Sequence, residues 1–202
     1  MPLALDPEET LALAHAVKTE LRDRMRRVRR ALGDDARTAR SIKICARIEA
    51  MEAWRAARVV GLFVPMRTEI DVTILERAAR AAKKEIAAPR MIDDGRGLEL
   101  RAWDEGMEPV ESGRMVREPP ETAALVDPAR IDLLVVPGLA FDDRGARIGY
   151  GAGLYDRLLP RCDKAARVGV CFDFQLLAEV PETAGDARVH FVVTDERVLS
   201  AG

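Results

Sequence analysis

Residues 131–156 read IDLLVVPGLAFDDRGARIGYGAGLYD and carry the clearest structural signal in the sequence. The first six residues form a short apolar run that Pro137 ends, which is typical of a buried strand. A glycine-rich loop follows, and the residues after it have a helical pattern. Strand, loop and helix in this order predict an α/β fold with a ligand site at the carboxyl end of the strand.

The same alternation continues on both sides of this segment. Strands are predicted at residues 58–64, 85–88, 98–103, 167–172 and 189–193, with helices before and between them. Such a pattern forms right-handed βαβ units and a mostly parallel sheet. Residues 98–103 are predicted to form an edge strand, and residues 104–121 a long irregular connection. No repeat or linker divides the chain, so residues 1–202 are predicted to form one domain.

The composition excludes several classes of protein. With 48% apolar and 33% charged residues, the chain can build a core and is neither disordered nor of low complexity. The net charge of −2 gives no general basic field for nucleic acid. Three scattered cysteines and two histidines argue against a disulfide framework or a histidine zinc site. Because no signal peptide or membrane span is apparent, we expect a cytoplasmic protein that binds neither nucleic acid nor membrane.

The loop after the strongest strand is the first candidate binding site. It contains Gly138, Gly145, Gly149, Gly151 and Gly153. Glycines allow positive φ and close backbone approach, and a nest of N–H groups before a helix favours phosphate. The loop lacks the Gly-Lys-Ser/Thr of a Walker A motif, and Leu154 breaks the dinucleotide fingerprint. A tight loop that binds no ligand is the alternative interpretation.

Acidic side chains near this loop have competing interpretations. Asp156, in the first turn of the following helix, either complements the helix dipole or binds a Mg²⁺ ion that bridges polyphosphate. Asp71 fits the N-cap of another helix. Glu69 has no such structural role and is a candidate for substrate contact.

A predicted helix from about residue 7 to residue 32 is strongly basic in its second half. Seven basic side chains lie between Lys18 and Arg30, against two acidic ones. Lys18 and Arg22 are four residues apart and share a helix face, which could clamp a phosphate chain. A solvated helix face is the structural alternative. Contact with RNA is a third interpretation, although aromatic residues for base stacking are absent here.

These segments together resemble one enzyme family. Residues 132–142, DLLVVPGLAFD, and residues 147–157, RIGYGAGLYDR, closely resemble the signature of the 5-formyltetrahydrofolate cyclo-ligases, also called 5,10-methenyltetrahydrofolate synthetases. Residues 18–22, KTELR, are similar to the family's N-terminal Lys-x-x-Leu-Arg. Residues 69–71, 89–90 and 117–119 also occur in the family order. The resemblance extends from about residue 18 to residue 195.

The resemblance implies an ATP- and Mg²⁺-dependent ligase on a three-layer α/β/α Rossmann-like sheet, with the basic N-terminal helix packed on it. The family converts 5-formyltetrahydrofolate to 5,10-methenyltetrahydrofolate and releases ADP and phosphate. ATP phosphorylates the formyl oxygen, N10 attacks the activated carbon, and phosphate leaves as the ring closes. Phosphoryl transfer depends on positioned charge more than on a dedicated acid or base. We expect a monomer or a weak homodimer.

Site residues follow from their match to the family motifs. The resemblance implies that ATP binds to Lys18, Arg22, Arg147, Gly149, Tyr150, Gly151, Ala152, Gly153, Leu154 and Tyr155. It implies folate contacts for Val64, Glu69, Tyr150, Gly151, Ala152, Gly153 and Leu154, and Mg²⁺ contacts for Asp156 and Asp186. The candidate catalytic residues are Lys18, Arg22, Arg147 and Tyr155. A glutamate suits a pterin, because a carboxylate can accept two parallel hydrogen bonds from an amino-pyrimidine edge.

Three positions depart from the family pattern. Ala152 stands where the family has Gly or Lys, and Leu154 stands where it has Tyr or Phe. His190 lies near the place of a second aspartate after Asp186. Ala152 and Leu154 motivate the alternative of a non-catalytic or altered relative that binds folate or nucleotide. A sugar-phosphate isomerase or CoA transferase on a similar sheet is a further alternative, distinguished by activity without ATP.

Overall fold

The computed structural model of the protein describes residues 6–92, 95–111 and 117–201. A capping box begins the first helix, where the Asp6 carboxylate accepts a hydrogen bond from the N–H of Glu9 at 2.8 Å. No described helix combines the length and apolar character that crossing a membrane requires. The α-helices are α1 (Pro7–Ala31), α2 (Asp34–Ala50), α3 (Glu52–Ala56), α4 (Thr73–Ala81) and α5 (Leu154–Leu158).

The strands form one large sheet and two short ribbons. The large sheet contains β1 (Val59–Gly61), β2 (Glu85–Ile92), β3 (Gly97–Ala102), β6 (Leu125–Val126), β7 (Leu133–Pro137), β10 (Ala166–Val170), β11 (Phe191–Val193) and β12 (Val198–Ser200). The ribbons pair β4 (Val110–Glu111) with β5 (Arg117–Glu118), and β8 (Ala140–Phe141) with β9 (Arg147–Ile148).

The order of strands in the large sheet is β12-β11-β10-β7-β1-β2-β3-β6. The five strands from β11 to β2 run parallel to one another, whereas β12 at one edge and β3 and β6 at the other pair antiparallel. The predicted α/β fold with a mostly parallel sheet is confirmed.

Two strand predictions need correction. β3 does not form the sheet edge, because β6 pairs with its outer side at Leu100 and Arg101. β6 is only two residues long, so no periodic pattern predicts it. The strand predicted at residues 85–88 continues through Pro89 to Ile92. Pro89 is tolerated because β1 pairs only with residues 85–87, which leaves this part of β2 with one neighbouring strand. Of the connection predicted at residues 104–121, residues 112–116 lie outside the described residues.

Side chains of β7 alternate between two apolar clusters, one on each face of the sheet. Leu133 and Val135 pack with buried residues of α2, α3 and α4, including Ile44, Trp54 and Leu75. Leu134 and Val136 pack with Leu158 of α5 and with Leu159 and Cys162 after it. This alternation follows from the pleat of a strand. Because helices cover both faces, the sheet is the middle of three layers.

The basic helix α1 docks on the fold beside the β8-β9 ribbon. Met25 is 3% exposed and packs with Leu139, Ala140, Ile148 and Val180 in a third apolar cluster. The prediction that this helix packs on the sheet domain is confirmed.

Two glycines at the carboxyl ends of β7 and β10 make room for the buried ring of Phe141. A Cβ atom on Gly169 would lie 2.4 Å from Cε1 of Phe141, and one on Gly138 would lie 2.5 Å from Cε2. Phe141 has no exposed surface. Close packing of the core therefore explains glycine at both positions.

We expect Gly169→Ala to lower the free energy of unfolding by about 2 kcal/mol, because the added methyl group overlaps a ring that is packed on all sides. Urea unfolding followed by circular dichroism measures the change. The control is Gly33→Ala, where an added Cβ meets no atom within 4 Å. It should cost less than about 1 kcal/mol, even at the N-cap of α2. An equally small loss at Gly169 would show that the Phe141 ring moves aside freely.

Candidate active site

A cavity of about 880 Å³ opens at the carboxyl ends of the parallel strands, between α1 and the loop that precedes α5. Open α/β sheets bind ligands at this position. The predicted site residues all lie on its wall: Lys18, Arg22, Val64, Glu69, Arg147, Gly149, Tyr150, Gly151, Ala152, Gly153, Leu154, Tyr155, Asp156 and Asp186. The structure brings these residues together, and their individual roles stay predictions.

The loop between β9 and α5 forms one wall of the cavity. Gly151 has a φ of +110° and Gly153 a φ of +62°, backbone conformations that residues other than glycine rarely adopt. A Cβ on Gly149 would lie 2.7 Å from Nη1 of Arg147. Since Gly153 directly precedes α5, the loop leads into a helix N-terminus. Gly151 and Gly153 thus have the positive φ that is common in loops where backbone N–H groups turn towards a phosphate.

The other two glycines of the predicted phosphate loop serve packing instead. Gly138 makes room for Phe141. Gly145 has a φ of +78°, and a Cβ there would lie 2.3 Å from the carbonyl oxygen of Val189. Neither of these glycines lines the large cavity. Of the five glycines in the candidate loop, these two therefore have a packing reason to be glycine.

The helix α1 turns one basic face towards this loop. Arg22 donates a hydrogen bond from Nε to the carbonyl oxygen of Gly149 at 3.1 Å, and Arg26 donates from Nη2 to the carbonyl oxygen of Tyr150 at 3.2 Å. The interpretation of α1 as a wholly solvated basic helix is therefore wrong. The basic side chains that remain exposed are Arg24, Arg27 and Arg30.

Lys18 and Asp186 form an ion pair across the cavity wall. Lys18 Nζ also lies 3.3 Å from Oγ1 of Thr183, and the N–H of Thr183 donates to Oδ2 of Asp186 at 2.6 Å. Burial alone would raise the pKa of Asp186, but the hydrogen bonds from Lys18 and Thr183 and the charge of Lys18 hold this pKa below its ordinary value. Asp186 is therefore a carboxylate at neutral pH.

Arg147 and Asp156 form a second ion pair, with 2.7 Å between Nη2 and Oδ1. Oδ1 of Asp156 also accepts from the N–H of Ala187 at 3.2 Å, the residue that follows Asp186 in the chain. The Arg147 side chain is 4% exposed, and among the described residues its Nε has no hydrogen-bond partner. Its guanidinium carbon lies 5.7 Å from the centre of the Tyr155 ring. Arg147 thus brings a positive charge to the wall of the cavity, where a guanidinium is suited to an anionic ligand.

Glu69 and Tyr150 form a buried corner of the cavity. Glu69 is 6% exposed; its Oε1 accepts from the Tyr150 hydroxyl, and its Oε2 accepts from the N–H of Met66 at 2.9 Å. Burial raises the pKa of Glu69, while the hydrogen bonds from Met66 and Tyr150 and the charge of Arg29 oppose this rise. Burial also raises the pKa of Tyr150 and of Tyr155, so both phenols are protonated at neutral pH.

Asp156 and Asp186 have the donor set that a Mg²⁺ ion takes beside phosphates. Oδ2 of Asp156 and Oδ1 of Asp186 accept no hydrogen bond from a described residue. Within the described ranges, no three His, Cys, Asp or Glu side chains gather as a preformed metal cluster. Mg²⁺ in phosphate sites commonly binds one or two carboxylates together with the phosphates. The two acids therefore fit this ion.

Other residues of the wall received no predicted role, among them Arg117, Glu118 and Thr183. Glu118 is 3% exposed and accepts from the N–H of Met91 at 3.0 Å. It lies with Arg117 after an irregular segment, where no periodicity separates buried from exposed side chains. Thr183 precedes Asp186 by three residues, and this spacing is typical of a turn with side-chain hydrogen bonds, so sequence could have indicated it.

The fold and the cavity define an α/β protein with a small-molecule site at the carboxyl ends of its parallel strands, and known proteins share this fold. A model of the 5-formyltetrahydrofolate cyclo-ligase family matches residues 14–195. The 5-formyltetrahydrofolate cyclo-ligase of Mycolicibacterium smegmatis is 30% identical over 200 residues, covering 91% of this chain and 96% of that protein. The Escherichia coli enzyme of the same name is 29% identical over 178 residues, covering 86% and 98%.

A solved structure shows the same architecture. The NMR structure of Aquifex aeolicus 5,10-methenyltetrahydrofolate synthetase superposes with a TM-score of 0.80 and 31% identity, covering 92% of this chain and 93% of that chain. The chain belongs to the 5-formyltetrahydrofolate cyclo-ligase family. Enzymes of this family convert 5-formyltetrahydrofolate to 5,10-methenyltetrahydrofolate using ATP. The resemblance drawn from the sequence is thereby confirmed.

Proposed function

We propose that this chain converts 5-formyltetrahydrofolate to 5,10-methenyltetrahydrofolate with ATP, releasing ADP and phosphate. The observation that carries the proposal is one cavity of about 880 Å³ that combines two cation–carboxylate pairs, a glycine loop and the Glu69 corner. Pockets for small molecules typically measure about 300–1,000 Å³. The identity of the reaction is inferred from the family to which the chain belongs.

The ATP phosphates bind between α1 and the glycine loop. Lys18, Arg22 and Arg147 supply three positive charges, and the N–H groups of residues 149–155 supply donors without charge. The Tyr155 hydroxyl is a further donor, since its phenol is protonated. Cations and N–H groups in fixed positions stabilise the charge that spreads over a phosphoryl group during transfer.

The folate binds in the corner of Glu69 and Tyr150. The Glu69 carboxylate accepts two parallel hydrogen bonds from the amino-pyrimidine edge of the pterin, since each oxygen keeps a lone pair beyond its internal donor. Val64 and residues 150–154 line the rest of this subsite. Leu154 offers an aliphatic surface and also packs against the core, so its contact with the ligand is apolar rather than aromatic.

The reaction needs positioning and charge neutralisation but no protein nucleophile. The formyl oxygen attacks the γ-phosphorus of ATP, and the bond from that phosphorus to the bridging oxygen breaks, so ADP leaves. N10 then attacks the activated formyl carbon and loses its proton to water. The bond between that carbon and the phosphorylated oxygen breaks, and phosphate leaves. Holding N10 and the formyl group at contact distance lowers the barrier for closure.

Asp156 and Asp186 would hold Mg²⁺ against the phosphates. When bound, the ion neutralises phosphate charge that the three cations leave uncompensated. The free oxygens of the two carboxylates are its candidate ligands.

We expect Glu69→Gln to raise the KM for 5-formyltetrahydrofolate by about tenfold, because the amide replaces one charged acceptor by a donor. The KM for ATP should change by less than about twofold. A twofold change corresponds to under about 0.5 kcal/mol of binding free energy. Steady-state kinetics with each substrate varied in turn measures both constants. Glu105→Gln, at an exposed glutamate outside the cavity, is the control. A selective rise in the KM for ATP would move Glu69 to the nucleotide side.

The direct test mixes the purified protein with 5-formyltetrahydrofolate, ATP and Mg²⁺ and follows the near-ultraviolet absorbance of the methenyl product. Reactions without ATP, without Mg²⁺ and without protein are the controls. A rise that requires ATP and protein supports the proposal. Product formation without ATP would contradict it. A folded protein that binds ATP but forms no product would favour the altered relative that Ala152 and Leu154 suggest.

A further inference from the structure

Arg29 is a buried cation of α1 that stands outside the predicted site. Its relative exposure is 5%, and its Nε is buried with no hydrogen-bond partner among the described residues. Within the same ranges it forms no ion pair. Its neighbour Arg30 is exposed. Burying an unpaired guanidinium is costly, so its position calls for an explanation beyond the docking of the helix.

The surroundings of Arg29 belong to the corner that holds Glu69. Its guanidinium carbon lies 5.5 Å from the centre of the Tyr150 ring, a cation–π distance. Arg29 and Glu69 also line one small cavity of about 10 Å³, together with Gln175. The Gln175 amide is already engaged, since Nε2 donates to Leu139 and Oε1 accepts from Phe172. Glu69 is thus the anionic side chain that faces Arg29 there.

We propose that Arg29 is a positioning residue for folate: its guanidinium orients the Tyr150 ring and supplies the positive charge that faces Glu69. The inference rests on the proposed function, because Glu69 and Tyr150 are the groups assigned to the pterin. Arg29 acts through these two side chains and does not line the large cavity itself. Its role is to keep Glu69 as a carboxylate, the form that accepts hydrogen bonds at both oxygens.

The charges around Glu69 support this role. Burial favours the protonated acid and raises its pKa, whereas the N–H of Met66, the Tyr150 hydroxyl and the charge of Arg29 favour the carboxylate. Tyr155, from α5, is the other titratable group coupled to Glu69, and it is a neutral phenol at working pH. Arg29 is therefore the cation that offsets the burial of Glu69. Without the charge of Arg29, only the hydrogen bonds from Met66 and Tyr150 oppose the rise that burial causes in the pKa of Glu69.

The first measurement is the ionisation of Glu69 in the ligand-free protein. Protein labelled with ¹³C at the glutamate carboxyl is titrated by NMR, and Glu69→Gln identifies the resonance. In Arg29→Gln, Glu69 should titrate about 1 pH unit higher than in the wild type, as expected for loss of a nearby charge at an effective dielectric constant of about 20. The matched control is Arg30→Gln, which should leave the midpoint unchanged. An unchanged midpoint in Arg29→Gln overturns the proposal.

The second measurement is kinetic and separates positioning from simple helix anchoring. Arg29→Gln should raise the KM for 5-formyltetrahydrofolate by about tenfold at pH 7, and the acid limb of its kcat/KM profile should move to higher pH. The KM for ATP should stay within about twofold, a change under 0.5 kcal/mol. If Arg29 only anchors α1, the variant will lose thermal stability while both the folate KM and the acid limb stay in place.

Arg29→Lys decides the matter if Arg29→Gln fails to fold. It retains the charge, so Glu69 should titrate within about half a pH unit of the wild type. It lacks the planar guanidinium whose carbon lies 5.5 Å from the centre of the Tyr150 ring. The folate KM should rise while the ATP KM does not. No rise overturns the orienting role. A wild-type protein without cyclo-ligase activity would contradict the proposed function, and the Glu69 titration would then still test the charge of Arg29.

Discussion

Replacing Arg147 by methionine should lower kcat by about 10³-fold, a loss typical of a cation that neutralises a transferring phosphoryl group. The expectation rests on three observations. The side chain is almost fully buried, its Nε has no partner among the described residues, and its guanidinium contacts both Asp156 and the Tyr155 ring. Methionine keeps most of the volume of the arginine stem and removes the charge. Single-turnover and steady-state rates at saturating ATP and folate measure the loss.

Two companion variants sharpen the Arg147 test. Arg147→Lys retains the charge without the planar fork, so its kcat should lie between those of the wild type and Arg147→Met. Arg24→Met removes an exposed arginine from the outer face of α1 and should leave kcat unchanged. A loss smaller than tenfold in Arg147→Met would mean that the phosphates lie elsewhere in the cavity.

The second large effect is expected for Asp156→Asn, which should lower kcat by about 100-fold or more at saturating Mg²⁺. The amide keeps the shape of the side chain but binds a divalent cation poorly. The structure adds a cost in stability, because Arg147 loses its carboxylate partner. With the Asp156 side chain 23% exposed, we expect a loss of about 2 kcal/mol in the free energy of unfolding.

A double-mutant cycle separates the two effects of Asp156. Urea unfolding of Arg147→Met, Asp156→Asn and the combined variant gives the coupling energy of the ion pair, and the combined variant should be less destabilised than the sum of the single changes. The rate losses should instead be governed by the more damaging single change. Full turnover by Asp156→Asn at high Mg²⁺ would remove Asp156 from the candidate metal ligands.

The parts of the fold that local pattern controls were predictable from sequence. The apolar run before Pro137 becomes β7, buried on both faces, because a central parallel strand needs no polar side. The two-residue strand β6 was not predictable, since its pairing depends on the position of β3 and not on its own residues. The continuation of β2 through Pro89 likewise depends on where β1 ends.

The candidate site also contains residues that the sequence could identify and residues that it could not. Motif resemblance located every residue predicted for the wall, including Lys18 and Asp186, which are 168 positions apart and form an ion pair. The motif could not distinguish the role of Gly138 from that of Gly151, because both lie in the same glycine-rich stretch. Only the structure shows that Gly138 packs against Phe141 and that Gly151 has a positive φ. Arg29 was hidden for a related reason. In a helix with seven basic residues, the packing partner alone distinguishes a buried arginine from an exposed one.

The placement of α1 makes ligand affinity depend on an equilibrium within the chain itself. Lys18 and Arg22 belong to a helix outside the sheet, held there by Met25 and by hydrogen bonds to the glycine loop. Any molecule whose helix is undocked lacks a wall of its cavity, so the apparent dissociation constant equals the intrinsic one divided by the docked fraction. A substrate that contacts both α1 and the glycine loop, as proposed, would raise the docked fraction. Substitutions that weaken the packing of Met25, away from the cavity, would lower affinity by lowering the docked fraction.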